Sequence, residues 1–265
     1  MADICKHITI IGAGGVATSI VPSLLDAGFI VDCIYSRHIE TARVLSSKYG
    51  CQAMDNLSEI PCTSDLYLIC VSDNAVAEVS GKLHINKNAI CVHTAGSLSM
   101  NLLSETTPNH GIFYPLQTFS KGRVVDFKQV PLFIEAANDY TYASLHEIAK
   151  RLSPMVCDLD EKGRRKLHLA AVIACNFSNH CYAIAEGLLN TQDLPFNILM
   201  PLIDETVGKI HTLSPYLAQT GPAIRNDDKV IDMHKRMLDD RRDILAIYEM
   251  MTEHIIKYHI NKNHD

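Results

Sequence analysis

The sequence predicts an α/β fold in two parts, a doubly wound sheet over residues 1–159 followed by an all-helical domain over 160–265, and three observations carry that prediction. An apolar run, HITII at residues 7–11, ends in Gly12-Ala13-Gly14-Gly15 and passes straight into a helix-compatible segment. Short continuous apolar runs, LYLICV at 66–71 and AICVH at 89–93 among them, alternate with stretches of helical periodicity. Such runs suit parallel strands covered on both faces. From Asp160 the periodicity is helical, with no further convincing strand. A chain of 265 residues also exceeds the usual single domain, so one domain of ordinary length plus a smaller one is expected.

The first strand, turn and helix span His7 to Ala17. Gly12 permits the sharp turn, Gly14 lets a ligand approach the backbone, and Ala17, third in the Gly-x-Gly-x-x-Gly/Ala pattern, lets the helix pack closely on its strand. The amides of Gly14, Gly15 and Val16 then face a pyrophosphate, because the first N–H groups of a helix lack partners within it and its dipole favours anions. Gly12, Ala13, Gly14, Gly15, Val16 and Ala17 are therefore expected to bind a dinucleotide. Ile20, Val21, Leu24 and Leu25 form the apolar stripe of that helix, and Pro22 bears only on its length. The second strand, 29–35, ends in Ser36 and Arg37, where an NAD enzyme carries a carboxylate for the ribose 2'-hydroxyl. A hydroxyl and a guanidinium instead suit a 2'-phosphate, so the expected cofactor is NADP(H). The competing reading leaves Arg37 solvated and brings Asp32 or Glu40 to the ribose.

A helix is expected over 39–49 and a minimal strand over 52–54. The strand at 66–71 ends in Val71 and Ser72, and Ser72-Asp73-Asn74 caps a helix over 75–83. After the strand at 89–93, His93, Thr94, Ala95 and Gly96 lead through a small polar loop to Ser97, at the carboxyl edge where open α/β sheets bind ligands. Val71, Ser72, His93, Thr94, Ala95 and Gly96 are thus further cofactor candidates. Strands over 111–113, 131–136 and 155–159 and a helix over 140–152 complete this half. In the second half Asp160 caps a helix running to about Leu189, and AAVIACNF at 170–177 is apolar around nearly its whole circumference, so this helix is expected to be central and buried. Helices over 194–213, interrupted by Pro201, over 226–238 and over 240–258 follow.

Catalytic candidates fall in three places. On the central helix, at about 100° per residue, His168, Asn176 and Asn179 form a polar stripe; Asn176 and His168 are candidates for substrate contact, while Asn179 and His180 read as structural. Arg225, in TGPAIRND at 220–227, either clamps a substrate carboxylate or pairs with Asp227 or Asp228. Tyr114, in YPLQTF at 114–119, either donates a proton or packs as an aromatic in a loop after a strand.

A formal charge of -6 and the lack of a basic block beyond 162–166, which reads as a solvated helix face, argue against nucleic acid or an anionic membrane as partner. Nine cysteines with no C-x-x-C pair suit a reducing compartment, with free and mostly buried thiols. No apolar run reaches about 18 residues and the first strand starts early, so a cytoplasmic protein is expected. Zinc spacings, HExxH, G-x-S-x-G and a Walker lysine are missing from the sequence, and no metal is expected.

Taken together, GAGGVA, the Ser-Arg after the second strand, VSDNAV, VHTAGS, YPLQTFS, HLAAVIACNFSNH and TGPAIRNDD resemble the NADP-dependent oxidoreductases of pyrroline-5-carboxylate reductase-like type, over nearly the whole chain. That resemblance implies a Rossmann domain, a helical C-terminal domain of unknown function, a reductase activity on a small-molecule substrate, and a homodimer formed through the helical domain. More distantly the chain is similar to 6-phosphogluconate and β-hydroxyacid dehydrogenases, which place Lys and Asn four apart on the corresponding helix; Asn176 matches that Asn, but Val172 stands at the Lys position. It departs from the nearer grouping at Tyr114, usually His there, and at Asn226, usually Gly. The function expected is hydride transfer from NADPH to a small carbonyl or imine, with Asn176 orienting the substrate across a cleft, Arg225 holding a carboxylate and His168 or Tyr114 supplying the proton. A non-catalytic NADP(H)-binding sensor on the same scaffold is the alternative, and a methyltransferase is a weaker third.

Overall fold

The computed structural model of the chain describes residues 5–262, and the side chains of 5–259. The chain divides into two compact units that part between Cys175 and Asn176.

In the first unit, strands β1 (His7–Ile11), β2 (Ile30–Tyr35), β3 (Gln52–Met54), β4 (Leu66–Ile69), β5 (Ile90–His93), β6 (His110–Pro115), β7 (Leu132–Ala136) and β8 (Val156–Asp158) form an eight-stranded sheet in the order β3-β2-β1-β4-β5-β6-β7-β8. All neighbours are parallel except β6 and β7, which run antiparallel from Gly111↔Ala136 to Pro115↔Leu132. This is the doubly wound, Rossmann-type sheet the sequence predicts, with its direction reversed at the far edge. Helices α1 (Gly15–Asp26), α2 (Ile39–Tyr49), α3 (Asp73–Lys82) and α4 (Asp139–Leu152) follow β1, β2, β4 and β7.

Strand periodicity accounts for the core. On β4, Leu66 and Leu68 join a cluster with Ile8, Ile10, Ala17, Ile20 and Leu24, while Tyr67 and Ile69 join another with Ile11, Val76 and Val79. Alternate side chains face opposite sides of a sheet, so a run without polar interruptions is covered twice. Helix ends are equally local in origin: Gly50, at φ 71°, supplies the left-handed residue that stops α2, and Asn138 accepts from Thr141 N–H to start α4. Tyr114 and Pro115 lie within β6 rather than in a loop after it.

Helix α5 (Glu161–Ala171) begins at Asp160, whose carboxylate accepts from Gly163 N–H at 2.7 Å. The change from strands to helices thus falls at 159–160, but α5 packs with the sheet, and the compact units part later. A π-helical turn, Val172–Phe177, then leads into α6 (Ser178–Asn190). Two expectations fail here. Residues 170–177 are not buried: Ile173 and Phe177 are 54% and 58% exposed, because an all-round apolar pattern says that a helix avoids water without saying what covers it. The 100° wheel fails too, since the π turn adds a residue to its rung and rotates everything beyond it. Helix α7 (Met200–Ile210) carries Pro201 in its first turn rather than being interrupted by it, since proline's missing N–H costs nothing there. Helices α8 (Asp228–Met237) and α9 (Arg242–Lys262) complete the second unit. Among the described residues no helix is long and apolar enough to cross a membrane.

Candidate functional site

The reversal of strand order falls between β1 and β4, and a pocket of about 430 Å³ opens at their carboxyl ends. It is lined by Gly12, Ala13 and Gly14 after β1, by Ser36 and Arg37 after β2, by Val71 and Ser72 after β4, and by Lys82 and Lys121. The turn has the stereochemistry of the fingerprint. Gly12 holds φ at 117°, and a Cβ there would lie 2.6 Å from the Cys70 carbonyl oxygen. A Cβ on Gly14 would meet nothing nearer than that oxygen at 4.0 Å, leaving its open side to a ligand. Ala17 is fully buried against the sheet, and a Cβ on Gly15 would strike the Phe119 backbone at 2.9 Å. Gly15, Val16 and Ala17 follow the lining residues as the first turn of α1, which has no side-chain cap and no acidic residue.

The two carboxylates that competed with Arg37 are committed elsewhere. Asp32 accepts from Ser64 and bonds His7 Nδ1 at 2.7 Å, and Glu40 pairs with Arg43 at 2.6 Å; neither lines the pocket. Lys82 and Lys121 are pocket cations that sequence reading missed. Lys82 is tied to Glu78 four residues earlier, and no sequence pattern marks Lys121, which a long loop delivers.

A second group forms two strands further along the same edge. His93, at the end of β5, is fully buried; its Nδ1 accepts from Ala95 N–H at 3.2 Å, which assigns the proton to Nε2 for donation to the Ser99 carbonyl. Burial pushes its pKa down to about 4. His93 therefore shapes the loop rather than titrating near neutrality. Thr94 N–H bonds the Ile69 carbonyl, and the Ser97 hydroxyl donates to the Asp73 carboxylate. At the end of β6, the Tyr114 hydroxyl lies 3.2 Å from His168 Nδ1 on α5. Gly96 packs against both: a Cβ there would lie 2.7 Å from His168 Nδ1 and 2.9 Å from Tyr114 Cζ. Burial holds the Tyr114 phenol above its ordinary pKa, so it keeps its proton at neutral pH. The two candidate acids, read separately in the sequence, form one pair.

Residues 162–166 are not a solvated face throughout. Arg164 is completely buried; its Nη1 donates to the carbonyls of Ala95 (3.2 Å), Gly96 (3.0 Å) and Leu98 (2.6 Å), and its Nη2 to Glu135 (2.9 Å). Arg165 Nε adds a bond to the Ser97 carbonyl. The available signal was spacing: Arg164 is four residues before His168 and so shares its face of α5.

Asn176 and Arg225 belong to the second unit. Both are exposed, and among the described residues neither makes a side-chain hydrogen bond; Arg225 pairs with neither Asp227 nor Asp228. Asn226 has φ 51°, a left-handed conformation that Gly adopts freely and Asn tolerates better than most residues. All nine cysteines are free, but only Cys5, Cys33, Cys70 and Cys91 are buried; Cys62, Cys157, Cys175 and Cys181 are exposed, against the expectation of mostly buried thiols. Among the described residues no cluster of three His, Cys, Asp or Glu side chains could hold a metal ion.

Residues 7–96 match the domain family described as NADP oxidoreductase coenzyme F420-dependent, and residues 130–255 match a domain of unknown function, DUF2520. No curated protein matches the chain. Among solved structures it is similar to a Bacteroides fragilis protein provisionally named an NADP oxidoreductase, with 45% identity, 95% of this chain and 98% of that one covered, and a TM-score of 0.91. A Streptomyces aurantiacus imine reductase (13% identity, 95% and 96% covered, TM-score 0.67) and a Coxiella burnetii pyrroline-5-carboxylate reductase (13%, 97% and 98%, 0.58) share the fold. With a glycine turn at the switch point, both domain matches and near-complete cover of the Bacteroides fragilis protein, the chain belongs to the NADP oxidoreductase family that joins a Rossmann-type domain to this C-terminal domain of unknown function.

Proposed function

We propose that the protein is an NADP(H)-dependent oxidoreductase acting on a small carbonyl or imine compound that carries a carboxylate. The observation that carries this reading is the pocket in which the Gly12–Gly14 turn meets Ser36, Arg37, Lys82 and Lys121. Arg37, Lys121 and the N-terminus of α1 suit the pyrophosphate and 2'-phosphate of NADP(H), which supplies hydride when bound, while Lys82 is paired with Glu78, a carboxylate that lines the same pocket. Reduction of a carbonyl or imine leaves an oxygen or nitrogen that needs one proton. Tyr114 donates it from its hydroxyl, and His168, hydrogen-bonded through Nδ1 and only half-buried, passes a replacement proton to the phenolic oxygen and recovers its own from solvent. Asn176 and Arg225, whose side chains are uncommitted, take the roles of orienting the substrate and holding its carboxylate. Cyclic imines and small keto acids are the compounds to screen first.

The protein acts as a homodimer through its helical unit. Of the described hydrophobic residues outside the first unit, only Ala223, Ile231, Leu238, Ile244 and Leu245 are buried. Leu202, Val207 and Ile210 on α7 stand open, as does an apolar groove of about 330 Å³ lined by Leu188, Ile247, Met251 and Ile255. Nine free thiols favour a cytoplasmic location.

Equilibrium titration with NADPH and NADH, repeated on Arg37→Ala, tests the cofactor. NADPH is expected to bind more tightly than NADH, and the substitution to weaken NADPH roughly 10- to 100-fold, the worth of one or two hydrogen bonds to a charged group, with NADH nearly unaffected. Equal affinities in the unmodified protein would remove the NADP preference, and no binding of either would remove the proposed function.

A further inference from the structure

The mechanism above makes no use of Arg164, which heads the fully buried side chains in size. A guanidinium leaves water only where its donors are matched, and an apolar residue of similar volume would fill the same space at less cost. Here three carbonyls from one loop, those of Ala95, Gly96 and Leu98, converge on a single nitrogen, with Glu135 of β7 as counter-charge. Its Nε–H is buried with no partner among the described residues, a cost the fold carries to keep an arginine there. The other side of that loop is Gly96, in contact range of His168 Nδ1 and Tyr114 Cζ. His168 itself lies one helical turn beyond Arg164 on α5.

We propose that Arg164 is a positioning residue: by gathering the Ala95, Gly96 and Leu98 carbonyls it fixes Gly96 beneath the Tyr114–His168 pair, so that the loop expected to face the nicotinamide and the proton-donating pair form one rigid assembly. The inference rests on the NADP(H) reading. A lysine would keep the charge but lose the fork that reaches the carbonyls and Glu135 together. The guanidinium also acts electrostatically on its surroundings, opposing the effect of burial at Tyr114 and adding to it at His93.

The test compares the full chain with Arg164→Lys in two measurements. The first titrates NADPH against 2',5'-ADP, which carries the 2'-phosphate but no nicotinamide. The second follows the His168 imidazole by ¹⁵N NMR as a function of pH, with no cofactor present. Arg164→Lys is expected to bind 2',5'-ADP within about twofold of the unmodified protein, to bind NADPH about tenfold more weakly, and to displace the His168 titration. Unchanged NADPH affinity with an unchanged His168 titration would overturn the proposal. If the unmodified protein binds neither nucleotide, the NADP(H) reading fails by itself, and the His168 titration alone decides the positioning role. Should Arg164→Lys not fold, Glu135→Gln, which removes only the counter-charge, is expected to show the same pattern at about threefold; no change in either measurement would overturn the proposal.

Discussion

The two units treat their apolar residues in opposite ways. In the first, each strand near the centre of the sheet sends alternate side chains into two covered clusters. In the second, the buried cluster reduces to Leu238, Ile244 and Leu245, with Ile184 and Tyr248 packed against it, while sixteen of the twenty-five exposed large hydrophobics among the described residues lie there. A sheet wound with helices supplies its own cover; a few amphipathic helices do not, and their pattern asks for another surface. A sharp way to break this comparison is to make α7 polar. In the proposed homodimer, if α7 lies at the two-fold interface, Val207→Glu with Ile210→Glu would bury four carboxylates there. The subunit dissociation constant is then expected to rise more than about a thousandfold, a cost above ~4 kcal/mol. Analytical ultracentrifugation would show twice 29.4 kDa for the unmodified chain and a single 29.4 kDa species for the variant. A monomeric unmodified chain would end the homodimer reading.

The contrast extends to titratable groups. His180 and His211 in the second unit stand in solvent, whereas His93 is sealed between Ser99 and Ala95 in its neutral form. Its folded pKa of about 4 lies below the ordinary 6.5, so between those values the unfolded chain binds a proton that the folded chain refuses. Its contribution is therefore present above pH 6.5 and is lost as pH falls towards 4, by up to about 3 kcal/mol. Urea unfolding at pH 7 and pH 4.5 should show this decline, and His93→Gln should make it shallower by most of that amount. A decline unchanged in the variant would show that other groups carry it.

How far the sequence reveals these features depends on whether a signal is local. Continuous apolar strands, the glycine turn with its Ser36-Arg37 partner and the Asp160 cap each lie within a few residues, and each was readable. The antiparallel turn-back of β7 was not, because it depends on how a long loop crosses the sheet edge. Nor was the Tyr114–His168 pair, whose members are fifty-four positions apart. Arg164 was hidden for a different reason: composition makes it one of several surface cations, and only the loop carbonyls that converge on it distinguish it from Lys162 and Lys166. The π turn was invisible because a helical wheel assumes the regularity it is used to test.

The smallest effect expected comes from the helix caps, and it sharpens the comparison because each unit has an aspartate that caps one of its α-helices. Asp160 accepts from Gly163 N–H at 2.7 Å, while Asp227 accepts from Val230 N–H at 3.4 Å, near the limit for such a bond. Loss of a good N-cap costs about 1 kcal/mol, and a stretched bond only a fraction of that. Asp160→Ala should therefore lower the melting temperature by roughly 2–4 °C, and Asp227→Ala by clearly less, in calorimetry at matched protein concentration. Because Asp160 opens the helix that carries Arg164 and His168, its loss should also loosen the Tyr114–His168 pair, visible as a small displacement of the His168 titration that Asp227→Ala does not produce. Equal losses in both variants would mean that cap geometry does not separate the units. A His168 response to Asp227→Ala would show that the second unit influences the Tyr114–His168 pair, so that the pair could no longer be treated as a feature of the first unit alone.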